Sequence, residues 1–344
     1  MAHQAPEPRG AVVVPNWNGE KYLAACLESL EGQTRRPHII VVDNGSVDGS
    51  VALVEQKFPG VELVRLPKNT GFTGGVNAGI QRATEAGQPF VALLNNDAVA
   101  APGWFAALVH ELEQHPDVGI AAAKITDFSG RHLDSTGEFY TIWGLAFARG
   151  RGESNLSKYD NSPEIFAASG GASILRTKML EETGSFDNTF FAYYEDVDLS
   201  FRAQLAGWKI RFVPGATVRH RIGATSGKIR GFTTYQTLKN LPLLCLKNVP
   251  GPLLPAVLPR LWLAHTAFFW SAAARGQAGA ALKGLAMAYL LTPRALAKRL
   301  HIQRSRRVPV AYIRGAIVHS LPPDAGRLQK LVHPLSRKPH EDRP

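Results

Sequence analysis

Short apolar runs alternate with amphipathic segments through the first hundred residues. The runs 11–14, 39–42, 61–66 and 90–94 have the length and composition of buried strands. Apolar residues follow the first two runs at helical spacing: Leu23, Cys26, Leu27 and Leu30, then Val51, Val54 and Phe58. Because strands that alternate with helices form a mainly parallel sheet, the pattern predicts an α/β fold.

The pattern changes in the second half of the chain. The acidic segment 195–198 begins a predicted helix that Leu199, Phe201 and Leu205 continue, and an apolar, strand-like run follows over 210–218. From residue 231 onward, helix-length segments combine aromatic and aliphatic residues with arginine and lysine. The predicted divisions are a flexible start (1–10), a nucleotide half (11–100) and an acceptor and catalytic half (101–230) of one domain, a basic amphipathic helical appendage (231–323), and a flexible tail (324–344).

Polar residues follow three of the predicted strands at their carboxyl ends. Asn16 follows the first strand, Asp43 the second, and Asn95, Asn96 and Asp97 the fourth. Open α/β sheets bind ligands in the crevice at this edge. One carboxylate there can hold a divalent cation against a diphosphate, so the pattern favours chemistry on a sugar nucleotide.

Several motifs resemble those of the family 2 glycosyltransferases, whose nucleotide-binding half is a Rossmann-like, mainly parallel sheet called GT-A. The matching segments are 13–19 (VVPNWNG), 42–48 (VDNGSVD), 69–72 (NTGF) with Gly74 and Asn77, 94–97 (LNND), 184–187 (GSFD), 190–202, 206–208 (AGW) and His220. They occur in the family's order and run from about residue 12 to about residue 226. In motif wording and length the chain is most similar to bacterial rhamnosyltransferases that extend a polyprenyl-diphosphate-linked sugar.

The resemblance implies an inverting, metal-dependent transfer. The donor would be a nucleotide sugar, with dTDP-rhamnose the first expectation, and the acceptor a polyprenyl-diphosphate-linked sugar of cell-wall or polysaccharide biosynthesis. Other readings stay open: another hexosyl or galactofuranosyl transfer, a nucleotidyltransferase, or a basic protein without activity that binds nucleic acid or membrane. An NAD oxidoreductase is disfavoured, because segment 71–79 lacks the Gly-x-Gly-x-x-Gly spacing.

The resemblance also implies which residues bind the nucleotide sugar: Pro15, Asn16, Asp43, Asn69, Gly74, Asn77, Asn95, Asn96 and Asp97. Asp43 would accept the imide hydrogen of uracil or thymine, and Asp97 would hold Mg²⁺ or Mn²⁺. The glycines of segment 71–79 would let the backbone pass close to the nucleotide. The family's usual Asp-x-Asp reads Asn95-Asn96-Asp97 here, so its first position carries no charge. Amide-rich strand ends also form simple turns, and Asp43 could instead cap the next helix.

In the second motif block, Asp196 matches the family's general base and His220 its second metal ligand. Three neighbouring acids raise one another's pKa, which suits a base that works near neutral pH. A lone histidine is more often structural, and Asp198 is expected to pair with Arg202 four residues later. The expected acceptor contacts are Trp143, Gly170, Gly171 and Glu195, with an ordinary core position as the alternative for Trp143.

The charge distribution adds a second kind of partner. The chain has 344 residues and a formal net charge of +11, and it contains no Asp or Glu from residue 199 to 323. Such a stretch favours an anionic partner: nucleic acid, a diphosphate or anionic lipid. Its apolar residues favour a membrane over nucleic acid, and the charge-free run 261–274 is shorter than the roughly 20 residues that a spanning helix needs. We therefore expect peripheral binding of 231–323 to an anionic membrane surface, with core helices or a homodimer interface as the alternative.

Cysteines and the amino-terminal sequence predict the compartment. Only Cys26 and Cys245 are present, so no disulfide framework is implied. Residues 1–10 are polar and lack the apolar stretch of a secretory signal. The expected location is the cytoplasm, peripheral on the inner face of the plasma membrane.

Overall fold

The computed structural model describes residues 10–221 and 229–322. The predicted flexible start, apart from Gly10, and the predicted tail 324–344 lie outside the described residues, as does segment 222–228 after the His220 motif. The strands are β1 Ala11–Asn16, β2 His38–Asp43, β3 Glu62–Arg65, β4 Phe90–Leu94, β5 Ala98–Ala100, β6 Val118–Asp127, β7 Leu133–Ser135, β8 Glu138–Tyr140, β9 Ala146–Ala148, β10 Ala172–Arg176 and β11 Lys209–His220.

The helices are α1 Glu20–Glu31, α2 Ser50–Lys57, α3 Gly71–Glu85, α4 Trp104–Gln114, α5 Thr177–Thr183, α6 Glu195–Leu205, α7 Phe232–Asn248, α8 Leu254–Ala274, α9 Ala278–Arg304 and α10 Val310–Ala316. One sheet runs in the order β3-β2-β1-β4-β10-β6-β11-β5, and β7 pairs with the end of β6. The first four strands are parallel, as predicted. The predicted α/β fold is confirmed.

The second half of the sheet is mixed rather than parallel. β10 is antiparallel to both of its neighbours, β4 and β6, and β5 is antiparallel to the end of β11. The small hairpin of β8 and β9 stands apart from this sheet. Mixed strand directions bring chain segments that are far apart in sequence to the same edge as the carboxyl ends of β1, β2 and β4.

Segment 71–79, whose glycines are predicted to let the backbone pass close to the nucleotide, forms the first turns of α3. Its glycines serve the contact between helix and sheet. A Cβ at Gly79 would lie 2.3 Å from a methyl carbon of Val13 on β1, and one at Gly75 would lie 3.3 Å from the Asn44 amide. A side chain at Gly79 would push α3 off the sheet, so this glycine is required by packing.

The carboxyl-terminal helices share a hydrophobic core with the catalytic half of the chain. Leu241, Leu244 and Cys245 of α7 pack in one buried cluster with Tyr140 and Phe201. Within the described residues, no helix is both long enough and apolar enough to cross a bilayer. Helices α7 and α8 pack against the α/β fold through this shared cluster. The domain boundary at residue 231 stays a prediction.

A buried ion cluster joins α6 to α7. Asp198 is fully buried and accepts hydrogen bonds from Arg202 at 3.0 Å, from Lys247 at 2.8 Å and from Asn248 at 2.7 Å. Lys247 also binds Asp187 at 2.6 Å. Burial opposes the charged form of Asp198, but Lys247 and Arg202 outweigh it and lower its pKa. The predicted Asp198–Arg202 pair is confirmed, and it belongs to the scaffold.

We predict that Lys247→Met lowers the free energy of unfolding by about 3–5 kcal/mol, because it leaves two buried carboxylates short of positive charge. Chemical denaturation of the purified protein measures this change. Lys298→Met is the matched control: Lys298 also binds Asp187, but its side chain is 44% exposed and should contribute less than about 1 kcal/mol. Equal losses in the two variants would contradict the role assigned to the buried cluster.

Candidate active site

The ends of β1, β2 and β4 bring predicted donor residues together. Asn16 and Asp43 are register partners on neighbouring parallel strands. Asn96 donates from its amide to Asn16 Oδ1 at 2.7 Å, and Asn16 Nδ2 lies 3.5 Å from Asp43 Oδ1. All three side chains are buried. These three residues form a polar row across the carboxyl edge of the sheet, with Pro15 beside it on β1. We call it the donor row, because its residues are the ones predicted to bind the sugar-nucleotide donor.

Asn44, which sequence reasoning did not select, fixes the loop that enters α3. Its Oδ1 accepts from the Thr70 N–H and hydroxyl, each at 2.9 Å, and its amide donates to Gly71 O at 2.8 Å. Asn69 Oδ1 in turn accepts from the Gly71 N–H at 2.8 Å. Asn69 therefore shapes this loop beside the donor row. Gly74 lies one turn further on in α3, where a Cβ would collide with the Thr70 side chain.

Asn77 points to a different neighbour. Its amide donates to Phe186 O at 2.8 Å and to Asn188 Oδ1 at 2.9 Å, and its oxygen accepts from the Phe186 N–H at 3.0 Å. These bonds join α3 to residues 186–188, at the start of the second motif block. They occupy both the amide and the oxygen of the Asn77 side chain. The predicted contact between Asn77 and the nucleotide stays a prediction.

The predicted metal ligands lie side by side. β11 pairs with β5 so that His220 is opposite Ala98, which places its ring next to Asp97. His220 Nε2 is 3.2 Å from Asp97 Oδ1, and the Arg221 N–H donates to Asp97 O at 3.1 Å. On the other edge of the ring, Nδ1 is 3.1 Å from Asp134 Oδ2. Burial opposes a charged ring, but the two carboxylates raise the pKa of His220 to about 9.

The donor atoms fit the divalent ion that the sequence predicts. Asp97 Oδ1 is buried and, within the described residues, faces His220 Nε2 without a hydrogen bond of acceptable geometry. A carboxylate oxygen is a preferred ligand of Mg²⁺ and Mn²⁺. These ions bind through one or two protein groups and complete their shells with phosphate oxygens and water. Within residues 10–221 and 229–322 no group of three or more His, Cys, Asp or Glu side chains is arranged to hold a metal ion.

Acids gather where α6 begins. Asp196 Oδ2 accepts from the Gly170 N–H at 2.9 Å, and Oδ1 accepts from the Val197 N–H at 2.8 Å. Burial raises the pKa of Asp196, although these backbone donors moderate the increase. Glu195 is buried, and its Oε2 makes no hydrogen bond within the described residues. Burial together with Asp196 raises the pKa of Glu195 well above the usual range. The same two causes raise the pKa of Glu138 on β8, a second residue that the sequence reasoning missed.

The turn before these acids has an unusual backbone. Phe191, Tyr193 and Tyr194 have φ angles of 65°, 69° and 69°, a region that side chains rarely adopt. The amide of Asn240 on α7 holds the turn by donating to the carbonyls of Phe190 (3.1 Å), Ala192 (2.9 Å) and Tyr193 (2.8 Å). A helix of the predicted appendage thus sets the geometry of the turn that presents Asp196.

The loop of Gly170 and Gly171 connects Asp196, the predicted base, to the segment of Asp97, the predicted metal ligand. Gly170 binds Asp196, and the adjacent Gly171 accepts from the Asn95 N–H at 3.0 Å, two residues before Asp97. A Cβ at Gly170 would lie 3.1 Å from the Phe72 ring, so the loop is tightly packed. The predicted acceptor residues Gly170 and Gly171 therefore lie between Asp196 and the segment of Asp97.

Trp143, by contrast, is 8% exposed and packs in the hydrophobic cluster with Leu261 of α8. This position agrees with the core alternative considered for it, and its contact with an acceptor stays a prediction. Glu195 lies beside Asp196 with its carboxylate turned into the protein. Of the predicted acceptor residues, Gly170 and Gly171 thus lie in a loop at the site, whereas the Trp143 ring lies within the core.

Comparison with known proteins gives a consistent picture. A family model described as Glycosyl transferase family 2 matches residues 11–184. An N-acetylglucosaminyl-diphospho-decaprenol L-rhamnosyltransferase of Mycobacterium tuberculosis is 29% identical over 237 residues, covering 63% of this chain and 77% of that protein. A pre-mycofactocin glycosyltransferase of the same species is 28% identical over 231 residues, covering 64% of this chain and 45% of that protein.

Solved structures share the fold at low identity. GalNAc-T7 with UDP, GalNAc and Mn²⁺ has a TM-score of 0.56 and 19% identity, covering 71% of this chain and 48% of that chain. The mannosyltransferase PcManGT from Pyrobaculum calidifontis, in complex with GDP-Man and Mn²⁺, has a TM-score of 0.53 and 17% identity, covering 88% of each chain. These likenesses place the chain among GT-A structures.

Proposed function

The chain belongs to glycosyl transferase family 2, and from that premise we propose that it transfers a sugar from a nucleotide donor to a hydroxyl of a polyprenyl-diphosphate-linked sugar. The rhamnosyltransferase relative supports this acceptor class and supports L-rhamnose as the sugar, for which dTDP-rhamnose is the proposed donor. Within the structure, one observation carries the proposal. The loop of Gly170 and Gly171 connects the carboxylate of Asp196 to the strand end that carries Asp97.

We propose that Asp196 is the general base. Its carboxylate takes the proton of the acceptor hydroxyl while the oxygen bonds to the anomeric carbon, and the bond from that carbon to the nucleoside diphosphate breaks. Attack from the face opposite the diphosphate inverts the anomeric configuration. The raised pKa of Asp196 and its fixed position on two backbone donors suit this task.

Asp97 and His220 would hold Mg²⁺ or Mn²⁺ at the other end of the reacting bond. A bound divalent ion would neutralise charge on the leaving diphosphate. The structures of GalNAc-T7 and PcManGT, both solved with Mn²⁺, support a divalent cofactor. Arg221 lies beside Asp97, with its guanidinium 3.4 Å from the centre of the Phe128 ring, and we assign it to the phosphate oxygens.

The donor row gives each remaining side chain a proposed contact. Asp43 would accept the imide hydrogen of uracil or thymine, while Pro15 and Asn16 line the same pocket. Asn95 and Asn96 would hydrogen-bond ribose or sugar hydroxyls. Ser46 supports Asp43, because its N–H donates to Asp43 Oδ2 at 3.2 Å. A buried carboxylate held in this way is preorganised for one base edge.

We also propose that residues 231–323 dock peripherally on an anionic membrane, on the inner face of the plasma membrane. The exposed apolar residues of α8 share one face of that helix: Leu258, Trp262, Leu263 and Trp270. On α9 an exposed apolar stripe lies beside Lys283 and Arg294: Leu282, Tyr289, Leu290, Leu296 and Leu300. Exposed aromatics combined with acid-free, basic helices are typical of interfacial binding. Such docking would bring the site to a lipid-linked acceptor.

The first experiment measures nucleoside diphosphate release from dTDP-, UDP- and GDP-sugars with Mg²⁺ or Mn²⁺, with and without polyprenyl-diphosphate N-acetylglucosamine. We predict release of dTDP from dTDP-rhamnose that requires both metal and acceptor. Acceptor-dependent release from another donor would overturn the rhamnosyl assignment and keep the reaction class. Inorganic pyrophosphate as the product would identify a nucleotidyltransferase, and absence of turnover across the panel would contradict the proposal.

Asp196→Asn should fold normally and lower kcat by about 10²–10⁴-fold, because the amide cannot take the hydroxyl proton. Donor binding should stay within about twofold of wild type, since Asp196 touches the acceptor side. Initial rates and equilibrium binding of the nucleotide sugar measure the two quantities. Asp117→Asn, at an exposed carboxylate on another part of the surface, is the control. Turnover close to wild type in Asp196→Asn would remove Asp196 from the base role.

Flotation of the full chain tests membrane docking with phosphatidylcholine vesicles, with and without phosphatidylglycerol. We predict flotation that depends on phosphatidylglycerol and falls with added salt. Trp262→Ser should weaken the partition coefficient by about tenfold, because it removes one large interfacial side chain. Val47→Ser, at an exposed apolar residue outside these helices, should leave flotation unchanged.

Protein that stays in the soluble fraction with both kinds of vesicle would contradict docking. If light scattering then gives a dimer that Trp262→Ser dissociates, the exposed faces of α8 and α9 are a homodimer interface instead.

A further inference from the structure

A second buried carboxylate lies on the far side of the His220 ring. Asp134, on β7, is 5% exposed, and its Oδ2 is 3.1 Å from His220 Nδ1. Asp97 Oδ1 is 3.2 Å from the other ring nitrogen, Nε2. Both nitrogens of one imidazole are thus faced by carboxylates, and only one of those carboxylates belongs to a sequence motif.

We propose that Asp134 is a positioning residue for the divalent ion. By accepting the Nδ1–H of His220 it selects, for the neutral ring that a metal requires, the tautomer in which Nε2, the nitrogen beside Asp97, is free. A neutral imidazole has one N–H, so the group that accepts it decides which nitrogen is free to bind a metal. The proposal rests on the metal site proposed above and adds a residue to it.

The sheet places Asp134 beside the Nδ1 edge of the His220 ring. β7 and β11 pair with the same end of β6, at Ile125 and Thr126, so they lie on its two opposite edges. The side chains of Asp134 and His220 meet across that end of β6. Because Asp134 is bound to the ring edge opposite Asp97, it supports a ligand rather than joining Asp97 as one.

The charges around the ring agree with this division. Arg151 Nε is 3.1 Å from Asp134 Oδ1, so the outer carboxylate already has a cation. Arg151 therefore neutralises Asp134, the aspartate on the side of the His220 ring away from the donor row. Among the described ion pairs, Asp97 has His220 as its partner and no arginine or lysine.

A purely structural role for Asp134 predicts something different. In that case Asp134 would anchor β7 through Arg151 and His220, and its loss would lower stability without changing metal affinity. The two roles are separable, because the tautomer of His220 and the affinity for Mn²⁺ can be measured on folded protein without turnover.

The test measures Mn²⁺ binding by electron paramagnetic resonance of free Mn²⁺, in the full chain with and without dTDP. We expect Asp134→Ala to weaken Mn²⁺ binding by about 10–100-fold. Asp134→Asn should lose less, because its amide oxygen still accepts the Nδ1–H, and Asp134→Glu should restore part of the affinity. Asp160→Asn, which removes a carboxylate paired with Lys124 at 2.6 Å, is the control and should bind Mn²⁺ like wild type.

Ring-nitrogen NMR of the Mg²⁺-loaded protein gives a second readout. His220 should show a protonated Nδ1 and an unprotonated Nε2 in wild type, and a mixture of tautomers in Asp134→Ala. If Asp134→Ala and Asp134→Asn fold and bind Mn²⁺ with wild-type affinity, the role proposed for Asp134 is wrong, while the proposed metal site still stands. Wild-type protein that binds neither ion, with or without dTDP, would overturn the metal site itself and this proposal with it.

Discussion

A buried carboxylate must be neutralised or hydrogen-bonded, and this constraint organises the whole site. Asp198 meets it completely through Arg202, Lys247 and Asn248, so it is part of the scaffold. Glu195 does not, since its buried Oε2 has no hydrogen bond within the described part of the chain. The same sequence block thus contains acids of two kinds, and the difference is compensation rather than burial.

The carboxyl-terminal helices belong to the catalytic architecture as well as to the proposed membrane surface. Asn240 holds three carbonyls of the turn in which Tyr193 and Tyr194 adopt left-handed angles, and that turn ends at Glu195 and Asp196. Backbone strain of this kind persists only where neighbouring groups enforce it. Because Asn240 of α7 supplies those groups, the position of this helix fixes the turn that leads into Glu195 and Asp196.

Sequence reasoning recovered what local pattern encodes. The strands that end at Asn16, at Asp43 and just before the Asn95–Asp97 segment follow from short apolar runs with polar ends, and their convergence follows from parallel order. It missed the helix that begins at Gly71, because glycine is a poor helix former and only packing against β1 explains Gly79. It also missed Asp134, which is 86 residues from His220 and carries no motif, since only the antiparallel register of β7 brings the two together.

The departure from the family's Asp-x-Asp acquires a physical reading in this setting. Asn95 occupies the first position, and its amide nitrogen lies 3.4 Å from His220 Nε2. A carboxylate at this position would add a third negative charge around one imidazole, next to Asp97 and across from Asp134. The amide avoids that repulsion and still offers hydrogen bonds to a substrate. The second acid beside His220 is Asp134 of β7, and Arg151 compensates it there.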